Sequence, residues 1–447
     1  MNLLTKNNLG SVRFSNKNNS LKCAYFCRFL FVAVTFFASL TSLVSPHNAQ
    51  TLTTAPFKKC WENPIIAESD FFASDKIKDT FLFTVENKIV SINALSGLVN
   101  WSYEISGRTV SNFVAEENFL YVADRPYKKD YQNNSEKKIG GKFYRNGNNE
   151  NSQEAENEKI YLRSINIASG IPYWSTEIDL KSSSATKPLD SMQTETGDEE
   201  QIILGENEDG LFLFDKSGRF ASVRKRRGMI ERIKNFDLQP SFFLDFEFDE
   251  ASPKTGAAQK IFAFYSSNFI HFAETHGGEI TSRVDYHESP AAGLLFDQKN
   301  FVIGDEKGNI SSFTLGNKGK WRRIWNVKVG GSVSGLTSVN ENLLVTSFDN
   351  FVYLFDRNNG KKIWKKRLSG RLVFKPLIQK KENRFIAIEN ESAYIISLGE
   401  GKLIDQLSLM PDEYFINKPV TVNNRIIFQT NTRIISFTDS DSDKGCS

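Results

Sequence analysis

Methionine, cysteine and histidine each occur only four times in 447 residues. So few soft ligands argue against haem, iron–sulfur or multi-zinc chemistry. Sustained helical periodicity is also missing. The segment RKRRGMIERIKNF, from Arg224, has a trace of it and reads as one short basic helix or strand. No P-loop, dinucleotide fingerprint, HExxH or GxSxG occurs, so nucleotide use and the common hydrolase chemistries have no support. Acidic residues are absent from the first 49 positions, which carry Lys6, Arg13, Lys17, Lys22 and Arg28. The rest of the chain holds 51 basic against 53 acidic groups, a net charge near −2. The pI of 8.4 is therefore a property of the leader and gives no reason to expect a nucleic-acid partner.

The leader continues with an apolar run, residues 29–45, and then SPHNAQT. Basic residues, an apolar stretch and a small residue at Ala49 are the layout of a secretory signal peptide. Seventeen apolar residues also reach the lower limit for crossing a bilayer. Residues 1–49 are thus expected to be a signal peptide cleaved near Ala49, with an uncleaved anchor that touches the membrane as the alternative. Either way the remainder is exported, to the periplasm or outer envelope. No small-residue lipobox with Cys follows the run.

What the chain has in excess is aromatic: 37 Phe, 13 Tyr and 6 Trp. Aromatic enrichment favours strands. A pattern then repeats: VSINALSGLVNW at 90–101, RSINIASGIPYW at 163–174 and YLFDRNNGKKIW at 353–364. Each is an apolar strand, an Asn or Asp, a short turn, Gly, and Trp four residues on. The pairs are Gly97 and Trp101, Gly170 and Trp174, Gly360 and Trp364. The side chains of Asn93, Asn166 and Asp356 suit a turn start, and the Gly supplies a left-handed turn position. The Trp falls on the return strand, where its ring can pack between units. Weaker copies place their glycines at 218, 277, 319 and 401, the last three gaps being 42, 41 and 41 residues. A period near 40 fits a four-stranded propeller blade. Two polar stretches, 127–158 and 181–200, lack apolar content and read as disordered insert loops.

These copies resemble the repeat of PQQ-like β-propellers, the quinoprotein-dehydrogenase-like family. Ser96–Gly97 and Ser169–Gly170 match its Thr/Ser-Gly step; Asn359–Gly360 departs from it. The resemblance implies one all-β, eight-bladed propeller of four-stranded antiparallel blades over 57–438, with 439–447 a polar tail. Members of this size resemble the outer-membrane assembly factor BamB family, exported propellers without catalysis. That implies a monomeric, non-catalytic scaffold for protein partners in the envelope, with no cofactor, no metal and no nucleic acid. Two alternatives stay open, a PQQ-dependent dehydrogenase and the sensor ectodomain of an anchored protein. Dehydrogenase members use Ca²⁺, a catalytic Asp and usually a vicinal Cys pair. This chain has no adjacent Cys pair, and no dehydrogenase catalytic residue maps onto it.

Other candidates have plainer readings. His271, His276 and His287 read as exposed turn residues, and DRNNG at 356–360 as a turn without a Ca²⁺ loop. The basic clusters at 224–227, 321–325 and 361–367 read as solvated surface. The eighth repeat, RIISF at 433–437, lacks a return strand, while KKCWENPII at 58–66 resembles an orphan one. Residues 57–65 are therefore expected to complete the last blade, because a paired end removes two free sheet edges. That would bring Cys60 and Cys446 within chain reach, the tail spanning up to ~30 Å. A disulfide and two separate thiols both remain open.

Deleting residues 130–155 is expected to leave the melting temperature nearly unchanged, because loop closure costs little per added residue. Calorimetry of the deletion variant tests this, and a large drop would place the segment within a blade.

Overall fold

The computed structural model describes residues 57–126, 159–179, 202–246, 261–438 and 446, apart from 68–70, 74–76, 110, 117, 207–209, 298, 318 and 373. The leader at 1–49 and the inserts at 127–158 and 181–200 lie outside the described residues.

Alternating apolar runs, punctuated by Gly, Asn and Asp, form strands that meander in sequence order into eight sheets. Blade 1 holds β2 (Thr80–Val85), β3 (Lys88–Asn93) and β4 (Val99–Glu104), with Phe72 bridging Leu82 at its inner side. Blade 2 holds β5 (Gly107–Thr109) and β6 (Val114–Glu116), both on β7 (Phe119–Pro126), then β8 (Lys159–Asn166) and β9 (Pro172–Asp179). Blade 3 runs β10 (Ile202–Glu206), β11 (Gly210–Asp215), β12 (Arg219–Arg224) and β13 (Met229–Asn235). Blade 4 runs β14 (Phe242–Phe243), β16 (Ile261–Ser266), β17 (Phe269–Glu274) and β18 (Ile280–Asp285). Blade 5 runs β19 (Pro290–Leu295), β20 (Asn300–Asp305), β21 (Asn309–Leu315) and β22 (Trp321–Lys328). A short parallel strand, β15 (Asp245–Phe246), adds to its inner side.

Blade 6 runs β23 (Val333–Val339), β24 (Asn342–Ser347), β25 (Phe351–Asp356) and β26 (Lys362–Arg367). Blade 7 runs β27 (Leu377–Gln379), β28 (Arg384–Ile388), β29 (Ser392–Ser397) and β30 (Leu403–Ser408). Blade 8 runs β31 (Val420–Val422), β32 (Arg425–Gln429) and β33 (Ile434–Thr438). Its outer strand is β1 (Lys58–Asn63), from the other end of the chain. The result is an all-β, eight-bladed propeller of antiparallel blades.

The core is divided rather than central. Eight buried clusters form, one at each junction between successive blades. Burial between sheets is the dominant favourable term here, so every blade depends on both neighbours. The phenylalanine excess concentrates at junction 3/4, where Phe212, Phe214, Phe220, Phe262 and Phe264 pack with Phe236 and Phe243. Ring pairs such as Phe212–Phe262 at 5.3 Å and Phe214–Phe264 at 4.9 Å fill it.

Ring closure follows the expected pairing. β1 lies antiparallel to β33, with Lys59 opposite Phe437 and Trp61 opposite Ser436, and a bulge at Cys60. In the structure Cys60 is bonded to Cys446, with Cα atoms 4.0 Å apart at a sequence separation of 386. The Arg425 guanidinium lies against Cys446 Sγ. A second clamp is ionic. Arg433 donates to both Glu413 oxygens at 2.9 Å and also reaches Glu62 on β1. Thr430 and Thr432 hydroxyls donate to Glu413 Oε1 at 2.7 and 2.9 Å. Burial pushes the Glu413 carboxyl up, but these donors outweigh it and hold the pKa at about 2.

Two outcomes follow. Reduction of the disulfide, or Cys60→Ser, is expected to lower unfolding free energy by roughly 2–5 kcal/mol, the range for a native bridge. Denaturant titration with and without reductant measures it. For Glu413, the folded pKa lies below the unfolded value. Its stabilisation is present above the unfolded pKa and is lost as pH falls toward about 2. The stability advantage of wild type over Glu413→Gln should therefore shrink below about pH 4, near the usual carboxylate pKa. Melting curves from pH 7 to 2.5 check this, and a constant difference would refute the clamp.

Candidate interaction faces

The sequence-marked residues meet across blades, not within repeats. Each outer strand carries a bulge, and the residue after the bulge faces the next blade. A bulge re-aims the side chains that follow it. The eight positions are Trp101, Trp174, Arg232, Ser282, Trp325, Trp364, Asp405 and Trp61.

Five of them are indoles that dock on a glycine turn of the following blade. Trp61 covers Gly97, Trp101 covers Gly170, Trp174 covers Gly228, Trp325 covers Gly360 and Trp364 covers Gly401. In each dock the indole Nε1 donates to the carbonyl three residues before that glycine: Ala94 (2.8 Å), Ile167 (2.7 Å), Lys225 (2.8 Å), Arg357 (2.8 Å) and Leu398 (2.9 Å). The apolar ring is covered while its one donor is satisfied. Gly170 shows why glycine is needed. Its φ is +70°, and a Cβ there would stand 2.6 Å from the Trp101 ring. Asn166 Oδ1 shapes the same turn by accepting from the Ala168 and Ser169 amides at 3.1 and 3.0 Å. At 356–360 the same work is done by Asp356, whose Oδ1 accepts from Asn358 N at 2.8 Å and whose Oδ2 accepts from the Asn359 amide at 2.7 Å.

Three junctions lack the indole dock, and each has a substitute. At 3/4, Arg232 donates to Gly277 O at 3.1 Å, while the Phe220 ring stands against Gly278. At 4/5, Ser282 is too small, and Trp321 of blade 5 reaches back instead. Its Nε1 donates to Ser282 Oγ at 3.0 Å, and its ring stacks on Phe272 at 4.3 Å. At 7/8 the closing blade has no continuous turn to dock on. There Asp405 Oδ2 accepts from Phe57 N at 2.8 Å.

Two glycine assignments made from the sequence change. Blade 3 uses Gly228, in the RKRR turn, and not Gly218, which sits between β11 and β12. Blade 4 uses Gly278, the left-handed member of the pair, and not Gly277. Of the two readings for the segment from Arg224, the strand holds: Arg224 ends β12, residues 225–228 turn, and β13 follows, with Lys225 buried and paired to Glu116 at 2.7 Å. Gly228 carried no Trp four residues on, so pattern matching passed over it. His271 also differs from its reading as an exposed turn residue. It is buried within β17 and stacked on Phe264 at 5.1 Å, and burial lowers its pKa. His276 and His287 are exposed.

The opposite end of the ring carries a different latch. Carboxylates late in a blade's second strand or at the turn after it hold the incoming linker from the preceding blade. Asp124 accepts from Ser106 N at 2.9 Å, Asp349 from Gly330 N at 2.9 Å, and Glu389 from Gly370 N at 2.6 Å. Burial, then the bond to Asp349, pushes the Tyr353 hydroxyl up to about 12. Arg163 joins Asp124 in a buried pair and donates to Tyr103 at 3.2 Å. Among the described residues no group of three or more His, Cys, Asp or Glu is placed to hold a metal ion.

A family model described as outer membrane protein assembly factor BamB matches residues 306–404, blades 5 to 7. Over that span the repeats are PQQ-like. The solved structures that the chain resembles share its fold. BamB from Moraxella catarrhalis aligns at 11% identity over 84% of this chain and 100% of that one, with a TM-score of 0.50. The computationally designed Ika8 protein aligns at 10% identity over 86% and 99%, with a TM-score of 0.58. The C-terminal WD40 domain of Sif2 aligns at 10% identity over the same shares, with a TM-score of 0.56. No curated protein sequence matches.

Trp364→Ala should cost roughly 3–5 kcal/mol, the range for a large aromatic removed from a packed site. Gly401→Ala should destabilise as well, since a Cβ would lie 2.9 Å from the same ring at φ +66°. The double variant should cost less than the sum, because both changes break one dock. Additive losses in urea unfolding would show that the two residues do not act together.

Proposed function

We propose that the chain is an exported, non-catalytic propeller that binds protein partners in the cell envelope, in the manner of an outer-membrane assembly factor. The observation that carries this reading is where the distinctive residues are engaged. The post-bulge tryptophans and the carboxylates Asp349 and Glu389 hold one blade to the next, and Cys60 and Cys446 tie the two chain ends within the closing blade. What remains for function is the shape itself, a ring whose turns and outer walls present surface from every blade. The basic, acid-free leader with its apolar run supports export. A disulfide between Cys60 and Cys446 suits an oxidising compartment. The BamB family match over 306–404 supports the envelope role.

N-terminal sequencing of the exported protein should find a start near residue 50. Affinity capture from envelope extracts should recover a protein partner in fixed proportion. Added PQQ and Ca²⁺ should give neither saturable binding nor dye reduction. Turnover in that assay would overturn the scaffold reading in favour of a dehydrogenase.

A further inference from the structure

The outer strands of blades 5 and 6 differ in charge from all the others. β22, WRRIWNVK, carries Arg322, Arg323 and Lys328; β26, KIWKKR, carries Lys362, Lys365, Lys366 and Arg367. Neither strand holds an acid. Each of the other six outer strands has at least one: Glu104, Glu177, Glu231, Asp285, Asp405 and Glu62. On other blades several cations at the outer strands are paired with acids. Arg232 and Lys234 meet Glu279, Lys159 meets Glu177, and Lys59 meets Glu62. Charge on a sheet edge guards against edge-to-edge aggregation. Charge of either sign serves that purpose: β1, β13 and β18 mix their charges and β4, β9 and β30 carry acids alone, so β22 and β26 stand apart as the two outer strands that are wholly positive.

The two strands form one band. Trp325 of β22 docks on Gly360, which Lys361 and then Lys362, the first residue of β26, follow. Arg322, Arg323, Lys328, Lys361, Lys362, Lys365 and Arg367 are exposed. Within the band stand two exposed isoleucines, Ile324 and Ile363, 46% and 49% accessible, each at its strand's bulge. Both strands end their sheets, so among the described residues no strand pairs with the outer edge of either.

We infer that this band is the docking surface for an acidic, extended polypeptide segment carrying apolar side chains among its carboxylates. The inference rests on the scaffold reading and names the partner chemistry for one wall of it. One-signed charge attracts the carboxylates and steers encounter. The two isoleucines, set among the cations, reward an apolar residue on the ligand, which a nucleic-acid backbone does not supply. The outer backbone edges offer donors and acceptors to an extended chain.

The test is fluorescence anisotropy of the full-length chain with a labelled 12-residue peptide of alternating Glu and Val. Saturable binding is expected, weakened by salt. The variant Lys362→Glu/Lys365→Glu/Lys366→Glu should weaken it by about tenfold or more, since attraction becomes repulsion across the band. Arg322→Glu/Arg323→Glu, on the other strand, should act in the same direction and guards against a folding defect in the first variant. Lys216→Glu/Lys299→Glu/Lys381→Glu, the same charge change elsewhere, should leave affinity unchanged. A peptide alternating Glu and Ser should bind more weakly than the Glu-Val peptide. No saturable binding, equal binding by the reversal and control variants, or tighter binding of a 12-nucleotide oligothymidylate would overturn the inference. Envelope capture by the reversal variants separates the two levels. A partner still captured by them sinks this surface and leaves the scaffold reading standing.

Discussion

A bulge followed by a docking side chain is the constraint on which the ring depends. Strands alone make eight sheets, but nothing in a sheet specifies its distance or angle to the next one. The bulge on each outer strand turns one side chain toward the following blade. At five junctions that side chain is an indole, which covers a left-handed glycine and donates to a carbonyl of the same turn. The dock is geometric as well as attractive. The indole needs a flat approach, the approach excludes a Cβ, and the single hydrogen bond sets the register of the two blades.

The exceptions show the same constraint from the other side. Junction 3/4 replaces the indole with an arginine and a phenylalanine cluster; junction 4/5 fills from the opposite direction with Trp321; junction 7/8 uses Asp405 because blade 8 is assembled from both chain ends. The closing blade is then held by three independent means: strand pairing of β1 with β33, the Arg433 clamp between Glu413 and Glu62, and the Cys60–Cys446 bond. At the far end, the carboxylates of Asp124, Asp349 and Glu389 catch the linkers between blades 1 and 2, 5 and 6, and 6 and 7. The ring is thus tied at both ends of its blades, and its distinctive polar residues are taken up in the tying.

This use of residues bears on function. Tryptophans and turn carboxylates in a propeller invite a chemical reading, yet here they serve the junctions. The remaining variation lies on the outer walls and turns, where the outer strands of blades 5 and 6 carry cations alone and every other outer strand holds at least one acid. A fold built from near-identical units distinguishes its faces only by such departures, because the repeated residues are common to all.

The sequence by itself determined the class, the period, the position of most turns and the need for β1 to close the last blade. These are legible because they follow from local rules. Alternation marks strands, Asn or Asp before Gly marks turns, and an unpaired half-blade at each end of the chain must be reconciled. Only the tertiary structure decided which partners meet. Gly97 and Trp101 stand four apart in every strong copy but never touch; each finds its partner in the neighbouring blade. Gly228 was hidden because Trp174, the residue that identifies it, comes from blade 2. His271 looked like a turn residue, but the register of β16 and β17 buried it against Phe264. Sequence periodicity reports hydrogen-bonded neighbours within a sheet, whereas contacts between blades depend on how the ring curves, and no local pattern encodes that curvature.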